Sequence, residues 1–403
     1  MGAMSRPADR SAVRNPDGNV AIIDAARAVI AIRGLAGMSL RTVADHAGIS
    51  VGSISYRIGD RAALVDAIVD REIEIMATVR QAWRNRVGGL DPLTTGLLPD
   101  LICEWLDLSA RDRRTSAIIT CELALLASRD PQALPRIGEL LDSGEALWRD
   151  LLAVTRDGAQ LATLIALYCL DETPFSILLS DDVDYRLLRH STVRALLRGV
   201  EDAANPDWGR WHMGLVERLA EPAAAALDKA GDAPLGAKAV IAEHIADVIV
   251  AQGVGAVSHR VVAQTSAMAA SSIAHHYPTH RDMLFAGVEA IYRRMRADLR
   301  ATNAAAPGSS DVIRLTHECA LTALGNPAFI PFAIDMRRRR AENVHAQIAQ
   351  WLGMAIDSDR ARTQAVVMAI IGHGLRSLAM GAPKKSVAEL VKALVKNSTY
   401  VFK

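Results

Sequence analysis

A chain of 403 residues exceeds one ordinary core and leads us to expect two to three domains. Half of its residues are apolar, 4% are aromatic, and 46 basic side chains face 45 acidic ones, for a formal net charge of +1. That balance excludes a protein that coats nucleic acid indiscriminately, and leaves room for one that reads a site through a small basic surface.

Residues 1–17 carry Arg6, Arg10 and Arg14 among Pro and Asp without apolar periodicity, so a disordered basic arm is expected there, with no secretory leader. The sharper alternative is an arm that enters a DNA minor groove. Ile22, Ala26, Val29 and Ile30 then share one helical face, and Gly34 supplies a stop. Ser39 reads as the cap of a short helix bearing Leu40, Val43, Ala44 and Ala47, which ends at Gly48. Ser50 caps a second short helix, Val51 to Ile58, with Ile54 and Ile58 inward. Asp60 caps a longer one through Leu64 and Ile68. Two short helices joined by a tight turn with a glycine are helix-turn-helix punctuation.

Helical patterning continues over 62–85, 93–110, 115–129, 134–154, 158–180 and 184–202. A connector at 204–235, bracketed by Pro and Gly, is expected to hold one helix near 211–230. The pattern then starts again. A shift of 219 residues lays Gly34 on Gly253, Ser39 on Ser258, Arg41 on Arg260, Val43-Ala44 on Val262-Ala263 and Ser53-Ile54 on Ser272-Ile273. Ile241, Ile245, Val248 and Ile249 restate the first apolar face. Further helices are expected at 281–301, 309–325, 329–353, 358–381 and 384–400. The run Arg337–Arg340 reads as a solvated helix start, because four consecutive residues spread around a helix. Cys103, Cys121, Cys169 and Cys319 show no metal-ligand spacing and read as buried thiols in a reducing cytosol. No uninterrupted apolar run reaches the ~18 residues of a membrane span.

The stretch MSLRTVADHAGISVGSISYRIGDRAALVDAIV resembles the DNA-binding domain of the TetR family of repressors, and SHRVVAQTSAMAASSIAHHYPTHRDML is similar to the same motif. The resemblance implies an all-α fold of two TetR-like helical units in tandem. Each has an N-terminal three-helix domain and a helical regulatory domain, and the two pack as an intramolecular pseudo-dimer through 158–202 and 358–402. The expected divisions are 18–65 and 66–203 for the first unit, and 236–284 and 285–403 for the second, whose helix-turn-helix is degenerate.

In the first head, Val51, Gly52, Ser55 and Tyr56 are expected to face the groove, while Ser53 and Arg57 reach phosphates. Ser39, Arg41, Thr42 and Arg61 extend the phosphate clamp. The second head would use Ser258, Arg260, Ala270, Ser271, Ser272, Ala274, His275, His276 and His280. There Gly48 becomes Ala267, Ser50 becomes Ala269 and Gly52 becomes Ser271, which weakens the turn and cap. The His276-to-His280 spacing also suits a metal, although the resemblance implies phosphate contact there and no metal is expected. By resemblance, the middle helices enclose an effector, with Trp105, Cys121, Glu122 and Tyr168 as candidates in the first half and His317, Glu318 and Trp351 in the second.

The resulting expectation is a cytoplasmic, ligand-responsive repressor on double-stranded operator DNA. It has no membrane partner, no cofactor and no enzymatic motif, and further homodimerisation is open. The alternative is a small-molecule or partner-binding protein whose second head, or both, no longer contacts DNA.

Overall fold

Apolar residues at helical spacing, stopped by glycine and capped by Ser or Asp, produce helices as the only regular elements among the described residues. The computed structural model describes residues 16–197, 206–220, 235–300, 310–342, 344–355 and 359–382. The expected arm, the second part of the connector helix and the helix at 384–400 lie outside these, apart from Pro16 and Asp17.

The first stretch runs α1 (Pro16–Arg33), α2 (Leu40–Ala47), α3 (Val51–Arg57), α4 (Arg61–Val87), α5 (Leu98–Ala110), α6 (Arg114–Arg129), α7 (Ile137–Leu151), α8 (Gly158–Leu179) and α9 (Val183–Leu197). It is followed by α10 (Pro206–Arg218), α11 (Gly236–Gln252), α12 (His259–Ser266), α13 (Ala270–His276) and α14 (His280–Arg300). The last described helices are α15 (Ser310–Gly325), α16 (Ile330–Arg338), α17 (His345–Trp351) and α18 (Arg360–Ala379). A 3-10 turn follows α1 at Leu35–Gly37 and another follows α11 at Val254–Ala256.

Two expected helices are shorter than their patterns. The stretch 93–97 is a loop: Asp91 accepts from the Leu93 amide (3.0 Å) and the Thr155 hydroxyl (2.5 Å), and Gly96 takes φ +74°. The expected 329–353 helix breaks after Arg338. Gln364 from α18 donates to the Arg338 and Arg340 carbonyls (2.9 and 3.3 Å) and so satisfies groups that a continuing helix would have paired.

The same break overturns the solvated reading of Arg337–Arg340. Arg337 is fully buried and grips Glu172 of α8, with Nε 2.9 and 3.0 Å from the two carboxylate oxygens; Arg340 binds Asp171 at 2.8 Å. Arg338 and Arg339 pair with Asp335. Tyr168, Tyr185, Thr192 and Gln364 complete the polar shell around the Glu172–Arg337 pair. A buried charge is tolerable only when paired and hydrogen-bonded in this way.

At the centre, α8 packs against α5, α7 and α18. It approaches α18 so closely that a side chain at Gly372 would fall 2.0 Å from the Leu167 carbonyl oxygen. Among the described helices α8 alone is long and apolar enough to cross a membrane, yet 72% of that window is buried within the fold. Pro174 deprives the Leu170 carbonyl of its helical donor, and the His317 imidazole of α15 lies beside that carbonyl with Nδ1 held 2.9 Å from its own Ile313 carbonyl.

Candidate functional site

The first head stands on a core of Ile22, Ala26, Val29, Ile30, Val43, Ile54, Leu64 and Ile68, all nearly inaccessible. Ser39 begins α2 with a reciprocal cap. Its hydroxyl accepts from the Thr42 amide (3.1 Å) while Thr42 Oγ1 accepts from the Ser39 amide (2.9 Å). Gly48 then turns the chain at φ +67° and the Ser50 hydroxyl accepts from the Ser53 amide, starting α3. Ile54 faces inward, which leaves Val51, Gly52, Ser55 and Tyr56 exposed along one side of α3; Tyr56 is 72% accessible. A side chain at Gly52 would meet only Ser50 Oγ, at 3.9 Å, so nothing within the fold requires glycine there.

Of the residues expected to reach phosphate, several have partners within the head. Arg41 is exposed at the start of α2. Arg61, by contrast, donates to the Met38 and Leu35 carbonyls (3.1 and 3.0 Å), tying α4 to the turn after α1. The Ser39 and Thr42 hydroxyls are engaged in the cap, and Arg57 lies across Gly18 of α1. These four side chains hold the head together, whatever else they touch.

The segment α11–α14 repeats this order. Gly253 has φ +89° and ψ 165°, against +68° and 169° at Gly34. Ser258 caps α12 through the Val261 amide, and Arg260 is exposed. Ala267 takes the left-handed conformation of Gly48, at φ +53°, and Ala269 offers no side-chain cap to α13. Ile273 is buried; Ala270, Ser271 and His275 are exposed, Ser272, Ala274 and His276 partly so, and His280 is exposed at the start of α14. No cluster of potential metal ligands occurs among the described residues. The two 3-10 turns meet: a side chain at Gly255 would lie 2.4 Å from Ala36 Cβ.

A cavity of about 100 Å³ opens between α4, α5, α6, α7, α8 and α18. Trp105 and Cys121 line it, the thiol pushed up to about 12 by burial. The other five effector candidates do not line it. Tyr168 belongs to the Glu172–Arg337 cluster, His317 to the Leu170 carbonyl and Asp171, and Trp351 to the core beneath the first head.

Glu122 and Glu318 have a different task. Glu122 accepts from the Leu35 amide and Glu318 from the Val254 amide, so each carboxylate seats the turn that follows a head's first helix. Glu318 also pairs with Arg129 at 2.5 Å. Burial pushes both carboxyls up, Glu122 to about 7. The cavity reaches the first head through Arg27 of α1, which donates to Glu72 (2.7 Å) and Ser116 (3.1 Å), both on the cavity wall.

Sequence reasoning missed Arg27, Glu72 and Arg113, because a lone charge in an amphipathic helix looks like surface. Asp171 and Glu172, two adjacent acids inside an apolar helix, were the readable signal for the arginine run.

No curated protein sequence matches the chain. Residues 22–68 match the family model described as bacterial regulatory proteins, tetR family. The chain therefore carries an N-terminal helix-turn-helix domain of the tetR type.

Proposed function

We propose that this chain is a cytoplasmic transcriptional regulator that binds operator DNA through α3, represses, and is released when a small molecule enters the cavity. The observation that carries the reading is the exposed stripe of Val51, Gly52, Ser55 and Tyr56 on a helix whose opposite side is fixed by Ile54. Phosphate contacts position a protein and base contacts specify the site. Arg41 therefore fixes register and Tyr56 reads sequence.

On this reading the segment 236–284 acts as a second head and one chain is an intramolecular pseudo-dimer, which the packing of α8 and α9 against α18 supports. Its two heads differ at the exposed positions, so the operator is poorly palindromic, with half-sites about 34–36 Å apart or somewhat more. A second reading, in which that head only scaffolds the first, is favoured by uncapped α13 and by Ala267 in a glycine conformation.

The test is anisotropy on duplexes from the DNA flanking the gene, with salt titrated, and light scattering of the complex. Arg41→Glu is expected to abolish binding and Tyr56→Ala to erase the preference over random duplex. Affinity should fall steeply with salt, with one chain per duplex. Salt-insensitive or absent binding rejects the DNA-binding reading. Two chains on a clean palindrome reject the pseudo-dimer, and an Arg260→Glu variant that binds normally selects the scaffolding head.

A further inference from the structure

Four charged side chains line the cavity: Glu72, Arg113, Glu145 and Arg376. Three have opposite charges in contact. Glu72 holds Arg27 at 2.7 Å, and Glu145 holds Arg149 and Arg376. Arg113 does not. Its guanidinium lies 3.7 Å over the Trp105 ring, Nη2 faces the Met76 sulfur at 3.7 Å, and Nε is buried with no hydrogen-bond partner. Glu72 acts on it only through space.

A half-buried cation whose Nε is shut off from water is costly, and the Trp105 face offsets its desolvation less well than a partner that brings negative charge. Three of the wall's hydroxyl donors are already engaged. The hydroxyls of Ser109, Ser143 and Thr173 each donate to a carbonyl of their own helix. Arg113 also stands immediately before α6, whose N-terminus has no side-chain cap and whose first turn supplies Ser116 and Ala117 to the wall. Leu140, Leu141, Trp148, Leu167 and Leu170 give the wall its apolar part, and Arg113 is the charged group on it without an opposite charge in contact.

We propose that the cavity takes a small amphiphile bearing one carboxylate, with the carboxylate on Arg113 and the apolar body along α7 and α8. The assignment deepens the effector reading above and rests on it. A neutral analogue leaves the guanidinium unpaired, and a cationic one adds a like charge beside it. Burial draws the Arg113 pKa down to about 10, so the side chain remains charged at neutral pH. Guanidinium–carboxylate contacts are charge-assisted and directional, which makes the acid group the discriminating part of the ligand.

The experiment uses the full chain without DNA, so a protein that never binds an operator still answers it. Trp105 and Trp148 line the cavity, and tryptophan emission reports occupancy. Decanoate is titrated against decanol, and 4-butylbenzoate against 4-butylbenzyl alcohol. In at least one pair the acid is expected to bind tighter than its alcohol by about tenfold or more. Arg113→Gln should remove that preference by weakening the acid alone, and Arg113→Lys should keep most of it. Equal affinities within both pairs, no saturable binding of either acid, or a preference that survives Arg113→Gln overturns the proposal. Should Arg113→Gln fail to fold, the acid–alcohol comparison on the unaltered chain decides.

Discussion

The two helix-turn-helix segments share a skeleton and differ in its fastenings. At an offset of 219 residues the buried positions agree: Ile30 with Ile249, Val43 with Val262, Ile54 with Ile273 and Leu64 with Met283 are all fully enclosed. The turn after the first helix has nearly the same backbone in both. The fastenings diverge. The first segment has a reciprocal Ser39–Thr42 cap, a glycine in the left-handed turn and a serine before the exposed helix. The second has a single Ser258 cap on α12, alanine at the turn and alanine before the exposed helix, and carries its reciprocal cap, Thr279 with Asp282, at the start of α14 instead. Burial alone suffices to place three helices. Caps and turn glycines set how firmly the exposed one is held, and that is where the segments part.

What joins the segments is stricter than what builds either one. The Glu172–Arg337 pair links α8 to α16, and removal of one partner leaves a buried charge uncompensated. Arg337→Met is expected to cost about 3–5 kcal/mol in denaturant unfolding, the largest effect of those considered. Glu172→Gln added to it should recover part of the loss. A single-variant loss below about 1 kcal/mol would mean that the Glu172–Arg337 pair adds little to what holds the halves together.

A smaller effect separates the carboxylates beneath the heads. Burial lifts Glu122 from 4.5 to about 7, so the folded chain retains a proton that the unfolded chain has released. This stabilisation is complete below about 4.5 and is lost as pH rises through about 7. Glu122→Gln keeps an acceptor for the Leu35 amide and cannot ionise. Its melting temperature should match the parent near pH 5 and exceed it at pH 8; equal gaps at both would remove Glu122 from the pH response.

The helical fold and the first head were legible because apolar spacing, Gly34, Gly48, Ser39 and Ser50 are local signals. The ionic cluster was not, since Asp171–Glu172 and Arg337–Arg340 are more than 160 residues apart and acquire meaning only when α8 meets α16. The carbonyl contacts of Arg61 were hidden for a related reason. A phosphate ligand and a carbonyl ligand look alike in sequence, and only the fold shows that the Leu35 and Met38 carbonyls lie within its reach. The cavity was half legible: Trp105 and Cys121 mark its wall, whereas Arg113 sits in a charged RDRR stretch that reads as loop.

Exchange of the turn residues sharpens the comparison further. Gly48 has open space around it, so Gly48→Ala meets no clash and bears only the left-handed backbone penalty, about 1 kcal/mol. Ala267→Gly should relieve a similar amount in the second segment. Thermal denaturation checks both signs. A loss at Ala267→Gly would mean that its φ of +53° is held by neighbours without strain.

The smallest effect comes from the caps, and it bears most directly on what the second segment is for. Ser50 sits at φ −79°, ψ 150° and Ala269 at φ −67°, ψ 136°, so a serine at 269 would enter a backbone already shaped for capping. Its hydroxyl would meet the Ser272 amide as Ser50 meets that of Ser53, at 3.1 Å. Ser50→Ala should cost about 0.5–1 kcal/mol and Ala269→Ser should return a comparable amount. Operator affinity then separates two uses of the same helix. If α13 enters a groove, a firmer start loses less order on binding, and Ala269→Ser tightens the complex by roughly the same fraction of a kcal/mol. If α13 only supports the first segment, the melting temperature rises and operator affinity stays where it was. An unchanged melting temperature would break the comparison itself, because it would mean that the start of α13 does not need the fastening that α3 has.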